Sequence, residues 1–322
     1  MITIFAGLAG GIGLDLLFGD PPNRYHPVAW LGKIIGFFVP HLKGGASSLE
    51  KAKGAIFAIG IVVLTGLAAH FLAYAAMYLA GALAAAVVSA LILKMTIAVR
   101  GMEKHSKRIT DCLECGDLAG ARRNLAMIVR RRTDDLDEKH ILSATIECIG
   151  ESTVDGITAP VFYYSLLGPG GALAYRTVNT LDSMVGYNDE YYKDIGWMSA
   201  RLDMAANYVP ARITAFLMVI SARMLGADWK KSLHTLQRDH AKTSSPNAGY
   251  PMATMAGALR IRLEKIGHYA LGDEQEQATL EKCRTAISIM KLTTLLFCLM
   301  VSVPAMALLY LAGWWRILLG IP

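Results

Sequence analysis

Long apolar runs alternate with charged stretches along this chain, and several runs have the length that a bilayer asks of a helix. A hydrocarbon core of about 30 Å is spanned by roughly 20 apolar helical residues. Residues 2–18 are almost wholly apolar, with one acid, Asp15, near the far end. Gly7, Gly10, Gly11 and Gly13 give that helix a small-residue face on which another helix can pack closely. No strand pattern precedes them, so they do not read as a dinucleotide loop. Residues 55–93 are long enough for two spans, 55–74 and 77–97, with a turn between Tyr74 and Gly81 and with Lys94 and Arg100 at the following interface. A further span, 205–225, carries Pro210 and Arg212, and a last one, 287–314, ends on an interfacial anchor of Trp314, Trp315 and Arg316. The apolar stretch 156–175 is interrupted by Pro160 and by Gly168-Pro169-Gly170-Gly171. Broken backbone at membrane depth is tolerated only where protein or a water-filled cavity shields it, so this segment reads as a re-entrant or kinked helix.

Between 100 and 151 the pattern changes. Leu113, Leu118, Leu125, Ile128 and Val129 recur at helical spacing among Arg108, Arg122, Arg123, Arg130, Arg131 and Arg132 and a comparable set of acids. Two or three amphipathic helices follow from this, one of them starting at Asp134, and the three consecutive arginines read as a solvated face. The excess of Arg and Lys places the region in the cytoplasm. Composition supports the same picture. Of 322 residues, 54% are hydrophobic and 18% charged, and the mean hydropathy is +0.38. So few charges do not cover a soluble surface of this size. The predicted fold is therefore all-α, a polytopic integral membrane protein forming one domain over 1–322, with about four to six transmembrane helices and amphipathic cytoplasmic helices.

The net charge of +6 is met without a long basic tract, so it points to one side of a membrane and not to nucleic acid. The first apolar run lacks a basic leader and a small-residue cleavage site, and reads as a retained membrane segment. Cys112 and Cys115 form a CxxC, but no second Cys or His pair completes a tetrahedral zinc set.

Polar chemistry gathers at three places. The first is the stretch DLLFGDPPNRYHPV from Asp15, where Asp20 and His26 sit in a proline-stiffened turn beside the bilayer. The second joins Glu151 and Asp155, one helical turn apart, to Arg176, Asn179, Asp182, Arg201, Asp203, Asn207 and Arg212. Acids so placed face a metal, a cation or each other. Mg²⁺ is satisfied by one or two carboxylates together with substrate phosphates, whereas a network of interhelical salt bridges is the plainer account. The third is SSPNAGYPM from Ser244, where Ser245 and Asn247 precede a small-residue helix whose first N–H groups suit a phosphate or carboxylate, or simply form a turn. Walker A, GxSxG and HExxH patterns are absent.

Taken in order, the stretches DLLFGDPPNRYHPVAWLG, ESTVDGITAPVFYY, the block from Arg176 to Arg212, and SPNAGYPMATMAGAL resemble the adenosylcobinamide-phosphate synthase family of cobalamin biosynthesis (CobD/CbiB) over nearly the whole chain. The resemblance implies a multi-pass inner-membrane ligase that joins adenosylcobyric acid to (R)-1-aminopropan-2-ol or its O-phosphate, using ATP and Mg²⁺, with its active site facing the cytoplasm. Tyr250 and Arg260 depart from the expected pattern, and they leave the amine open. For such a reaction Glu151, Asp155, Asp182 and Asp203 are the expected Mg²⁺ ligands, and Glu151 and Asp155 are also expected to be catalytic. Asp20 or His26 would be the base for the amine. Arg176, Arg201 and Arg212 would hold phosphates or corrin carboxylates, with Asn179, Asn207, Ser245 and Asn247 beside them. Expected partners are the two substrates and the lipid bilayer, with a second copy of the chain or other cobalamin-assembly enzymes as further candidates. The competing classes are a corrinoid transporter, which would show paired broken helices, and a subunit that tethers soluble enzymes to the membrane.

Overall fold

The computed structural model describes residues 2–319. Its helices, in chain order, are α1 (Ile2–Phe18), α2 (Pro27–Leu42), α3 (Ser47–Lys94), α4 (Val99–Glu114), α5 (Leu118–Leu125), α6 (Glu138–Thr153), α7 (Ala159–Val185), α8 (Trp197–Met224), α9 (Trp229–Asp239), α10 (Pro246–Leu259), α11 (Leu280–Phe297), α12 (Val303–Leu311) and α13 (Trp314–Leu319). Among the described residues the strands are β1 (Leu263–Lys265) and β2 (Tyr269–Leu271), an antiparallel hairpin with Leu263 opposite Leu271. The chain is thus all-α. Among the described residues three stretches are long and apolar enough to cross a membrane: Ser47–Glu114, Trp197–Met224 and Leu280–Leu311. Thr3–Phe18 and Pro27–Leu42 are shorter apolar helices. Large side chains such as Ile56, Leu64, Phe71 and Leu83 stand outward along α3, an arrangement that water penalises and lipid accepts.

Two compact units divide the chain. One comprises residues up to 98, 159–207 and 299 onward. Leu31, Ile35, Val39, Ala58, Ile61, Leu181, Val185 and Ile195 form a buried cluster in it. Of the four glycines of α1, Gly7, Gly10 and Gly11 pack closely as the pattern predicts and Gly13 does not. A Cβ on Gly7 would lie 2.1 Å from the Tyr164 hydroxyl, and one on Gly11 would lie 2.9 Å from the Leu93 side chain, whereas Gly13 meets nothing. Tyr164 uses that space to donate to the Ile4 carbonyl at 3.2 Å. Two long helices of this unit are broken by glycine. Gly81 in α3 has φ +82°, and Gly168 in α7 has φ +66° and is followed by Pro169. At Gly168 the chain turns back on itself. Twelve residues of straight helix would separate Tyr163 from Tyr175 by about 18 Å, yet their rings stack at 5.3 Å.

The other unit comprises 99–158 and 208–298. Its α6 is buried along nearly its whole length and packs with α10 and α11 around Ile146, Ile149, Met252, Met255, Ile289 and Met290. α6 starts after Asp137, whose carboxylate accepts from the His140 N–H at 2.8 Å. Asp134, the expected start, instead lies in the preceding turn and pairs with Arg132. The β-hairpin is fixed by Asp239, a fully buried carboxylate held by Arg238 at 2.7 Å, Lys242 at 2.6 Å and the Gly272 N–H at 2.8 Å. Burial opposes its charge, but these partners prevail and hold its carboxyl well below the usual range.

Candidate active site

Eight of the residues singled out in the sequence fall in the first unit, and most of them form two polar groups. Asp20 follows α1 after Gly19, whose φ of +64° turns the chain. His26 caps α2, its Nδ1 accepting from the Val28 N–H at 3.2 Å. A ring nitrogen that accepts carries no proton, so in the neutral ring the other nitrogen, Nε2, bears it. Nε2 lies 3.7 Å from Asp20 Oδ1. On the same oxygen, at 3.9 Å, stands Lys94 Nζ from the end of α3. Burial opposes ionisation of Asp20, but His26, Lys94 and Arg176 outweigh it and hold the carboxyl below its ordinary value.

Arg176 of α7, whose charge acts on Asp20, belongs to a second group of polar residues on α7 and α8. Its guanidinium donates to Asn179 Oδ1 at 3.3 Å, and Asn179 reaches the Asp203 carboxylate on α8. Asn207, one turn further along α8, donates to Asp203 Oδ2 at 3.1 Å and accepts from the Tyr175 hydroxyl at 2.7 Å. The hairpin at Gly168 makes this possible, since it brings Tyr163 and Tyr175 to one face of α8, with Tyr163 donating to the Ala206 carbonyl at 3.0 Å. Asp203 Oδ1 is buried and has no hydrogen-bond partner among the described residues. Asp182, one turn beyond Asn179 on α7, rests against Gly186, where a Cβ would sit 2.0 Å from the carboxylate. Arg201 stands apart on a cavity of about 330 Å³ that it lines with Tyr187, Lys193, Trp197 and Met204.

The remaining five residues belong to the second unit. Glu151 ends on the exposed side of α6, and Asp155 lies in the π-helical turn Val154–Thr158 that follows it. Arg212 is clamped between aromatic rings, 3.5 Å from Tyr208 and 4.5 Å from Tyr250, and donates to Asn247 Oδ1 at 3.3 Å. Ser245 is the exposed residue before α10 and makes no capping bond with its side chain. A Cβ on Gly249 would lie 2.0 Å from the His240 carbonyl, so this approach of α10 admits only glycine.

Three polar residues were not singled out in the sequence. Lys94, expected at an interface, is 5% exposed. Glu147, one turn before Glu151, is also 5% exposed and receives Arg131 and the Tyr269 hydroxyl on one oxygen. Arg131, the middle of the three arginines, is therefore half-buried in an ion pair with a buried carboxylate and not part of a solvated face. Burial raises the Glu147 carboxyl above its ordinary value despite Arg131, and it raises Cys148 to about 12. Among the described residues no three His, Cys, Asp or Glu side chains gather as a metal cluster, and Cys112 and Cys115 are free thiols.

The sequence profile of the CobD/Cbib family matches residues 8–301. A protein of Methanothermobacter thermautotrophicus named "Probable cobalamin biosynthesis protein CobD" is 42% identical over 89% of this chain and 93% of its own. The cobalamin biosynthesis protein CobD of Dehalococcoides mccartyi is 40% identical over 81% of this chain and 84% of its own. That of Leptospira interrogans is 37% identical over 90% and 94%. No solved structure matches the chain significantly. With its all-α fold, its apolar spans and a match over most of its length, this chain belongs to the CobD/Cbib family of cobalamin biosynthesis.

Proposed function

We propose that the protein is an ATP-dependent amide ligase that joins the propionate of adenosylcobyric acid to (R)-1-aminopropan-2-ol or its O-phosphate. One observation carries this reading: Asp20, paired with His26, lies within electrostatic reach of Arg176, which leads through Asn179 to Asp203 and Asn207, although the chain separates the two groups by more than a hundred residues. A free carboxylate does not condense with an amine, so ATP first phosphorylates it, forming an acyl phosphate and ADP. The amine nitrogen then attacks the acyl carbon, the C–N bond forms, the C–O bond to phosphate breaks, and inorganic phosphate leaves. Such transfer depends on positioning and charge neutralisation.

Each residue has a part in that scheme. Asp20 is held ionised and so suits the ammonium of the incoming amine. Once the C–N bond has formed the nitrogen is far more acidic, and the same carboxylate can take its proton. His26 orients Asp20, because its Nδ1 is engaged by α2 and its other nitrogen faces the carboxylate. In the first unit Arg176 and Arg201 supply fixed cations for phosphate or carboxylate oxygens, with Asn179 and Asn207 as neutral partners; in the second, Arg212 does so with Ser245 and Asn247. Asp203, with one buried oxygen left without a hydrogen bond, fits a cation, with Asp182 as a second carboxylate of the same unit, while Glu151 and Asp155 are by themselves candidate Mg²⁺ carboxylates of the other. When bound, that ion would neutralise charge on the phosphates. The site faces the cytoplasm of the inner membrane in this reading, where ATP is supplied.

The test uses detergent-purified protein with adenosylcobyric acid, MgATP and each amine in turn, followed by mass spectrometry. An amide with matching ATP consumption is the expected result, and Glu151→Ala or Asp155→Ala abolishes it without loss of membrane insertion. No product from folded protein with either amine would move the reading to transport or to a tethering subunit.

A further inference from the structure

The cavity of about 330 Å³ beside Arg201 is walled by the loop that leads from α7 to α8 and by the first turns of α8. Trp197, Ala200, Arg201 and Met204 line it at intervals of three and four, so they share one face of that helix. Asp203 lies off that face and receives Asn207. Lys193 and Arg201 are the charged residues of the wall; both are exposed, and neither makes an ion pair with a described residue. No carboxylate lines the cavity. Of the acids on the elements around it, Asp189 accepts from the Tyr191 and Tyr192 N–H groups, and Asp194, on which the charge of Lys193 also acts, holds Ser47 and Lys51. Asp182 stands behind Gly186, and Glu190 is exposed on the loop outside the wall.

The level of the cavity in the bilayer is given by α3. A Cβ on Gly54 would strike the Ile195 carbonyl, so the loop rests on α3 at that turn. Lys51 and Lys53 come just before it, and the run of outward apolar side chains Ile56, Ile59, Val63 and Leu64 begins just after it. A change from cations to outward apolar side chains marks the edge of the hydrocarbon. From there α8 runs deeper: Tyr175 donates to Asn207, and the neighbouring Ala174 packs on Gly66. Along the wall, then, the cations and Trp197 stand at the bilayer surface and Met204 lies further in.

We propose that this cavity holds the phosphate of an anionic phospholipid, with Lys193 and Arg201 on its oxygens and an acyl chain along Met204. Basic pockets beside membrane helices suit acidic head groups, and tryptophan suits the level of the glycerol esters. A soluble phosphate presents the same oxygens, and the ligase reading leaves Arg201 open to one; the apolar wall and its depth favour the lipid. The inference goes beyond that reading and does not depend on it.

The experiment uses the full chain in detergent, with native mass spectrometry counting bound phosphatidylglycerol and phosphatidylcholine, and with inorganic phosphate and ATP as soluble competitors. Wild type should prefer phosphatidylglycerol. Lys193→Gln and Arg201→Gln should each weaken that binding roughly 5-fold and the double variant roughly 25-fold, with Lys193→Arg and Arg201→Lys restoring most of it. Lys53→Gln removes a cation of the same level outside the wall and should change little. An equal loss in Lys53→Gln would show general surface attraction and overturn the proposal, as would equal binding of the two lipids. Displacement of phosphatidylglycerol by millimolar phosphate or ATP would overturn it too, and would assign the cavity to a soluble reactant. If the double variant does not fold, wild type decides alone: chain-brominated phosphatidylglycerol should quench tryptophan fluorescence more than brominated phosphatidylcholine, and equal quenching refutes the seat. Amide formation is measured separately, so failure of the ligase reading leaves the lipid result standing.

Discussion

The pair Arg131–Glu147 offers a sharp test of how the second unit is held together. Glu147 lies on α6 with 5% exposure; Arg131 and Tyr269 share one carboxylate oxygen, and the other has no hydrogen bond among the described residues. Replacing Arg131 with Met keeps the bulk of the side chain and leaves a buried charge with a single phenol for support. Breaking a buried pair from one side costs about 3–5 kcal/mol, which corresponds to a fall in thermal midpoint of roughly 6–20 °C for a unit of this size. The pH dependence gives a second handle. The Glu147 carboxyl is raised in the fold, so its stabilising contribution is complete below the ordinary value of 4.5 and is lost as pH rises through the folded one. Without Arg131 the folded value rises further. Arg131→Met should therefore lose more stability at roughly pH 8 than at pH 5, and Glu147→Gln should remove that difference. The assay is thermal unfolding in detergent across pH for both single variants and the double variant, closing a cycle. A loss below about 1 kcal/mol that does not vary with pH would refute the reasoning, since that is the behaviour of an exposed pair.

Other outcomes follow from features already described. Gly249→Ala should cut folded yield and activity together, because its Cβ would overlap the His240 backbone oxygen at 2.0 Å; size-exclusion recovery measures the first effect. Asp239→Asn should free the β-hairpin, with amides of 263–272 exchanging faster in hydrogen-exchange mass spectrometry while α6 stays protected. The Asp20 carboxyl lies below its ordinary 3.8, so its ion pairs are complete above that value and are lost as pH falls through the folded one. Asp20→Asn should accordingly flatten the acid end of the stability profile. Cys115 is an exposed free thiol in the stretch expected in the cytoplasm, so an impermeant maleimide should label it in inverted membrane vesicles and not in intact cells.

The outline of this fold was written in composition and spacing. Apolar runs of bilayer length and glycines at helical intervals announce membrane helices and their close packing, because lipid and backbone approach act on single segments. What sequence could not supply was pairing across distance. Arg131 sits in a run whose neighbour Arg132 is exposed, and nothing local marks the middle residue as the one that turns inward. Lys94 follows Leu-Ile-Leu as an interfacial lysine would, and only its approach to Asp20 shows otherwise. The break after Leu167 was visible as Gly-Pro-Gly-Gly, whereas the stacking of Tyr163 on Tyr175 needed the conformation of Gly168. Asp137, rather than Asp134, capped α6 because the cap is decided by where the first free N–H groups point.

The first unit is assembled from three separated pieces of chain, and this bears on how the protein is made. α1 and α3 leave the ribosome early, but α12, which packs on both α1 and α7, begins about 200 residues after residue 98. At roughly 5–20 residues per second that is a wait of about 10–40 s. During it α1 and α3 already have each other, but the surfaces of α1 and α7 that α12 covers have no final partner and must be held by lipid or by the insertion machinery. Biogenesis, more than finished stability, should then set how much protein a cell accumulates. Substitutions in α12 should lower yield by exposing nascent intermediates to proteolysis, even where the completed molecule would tolerate them.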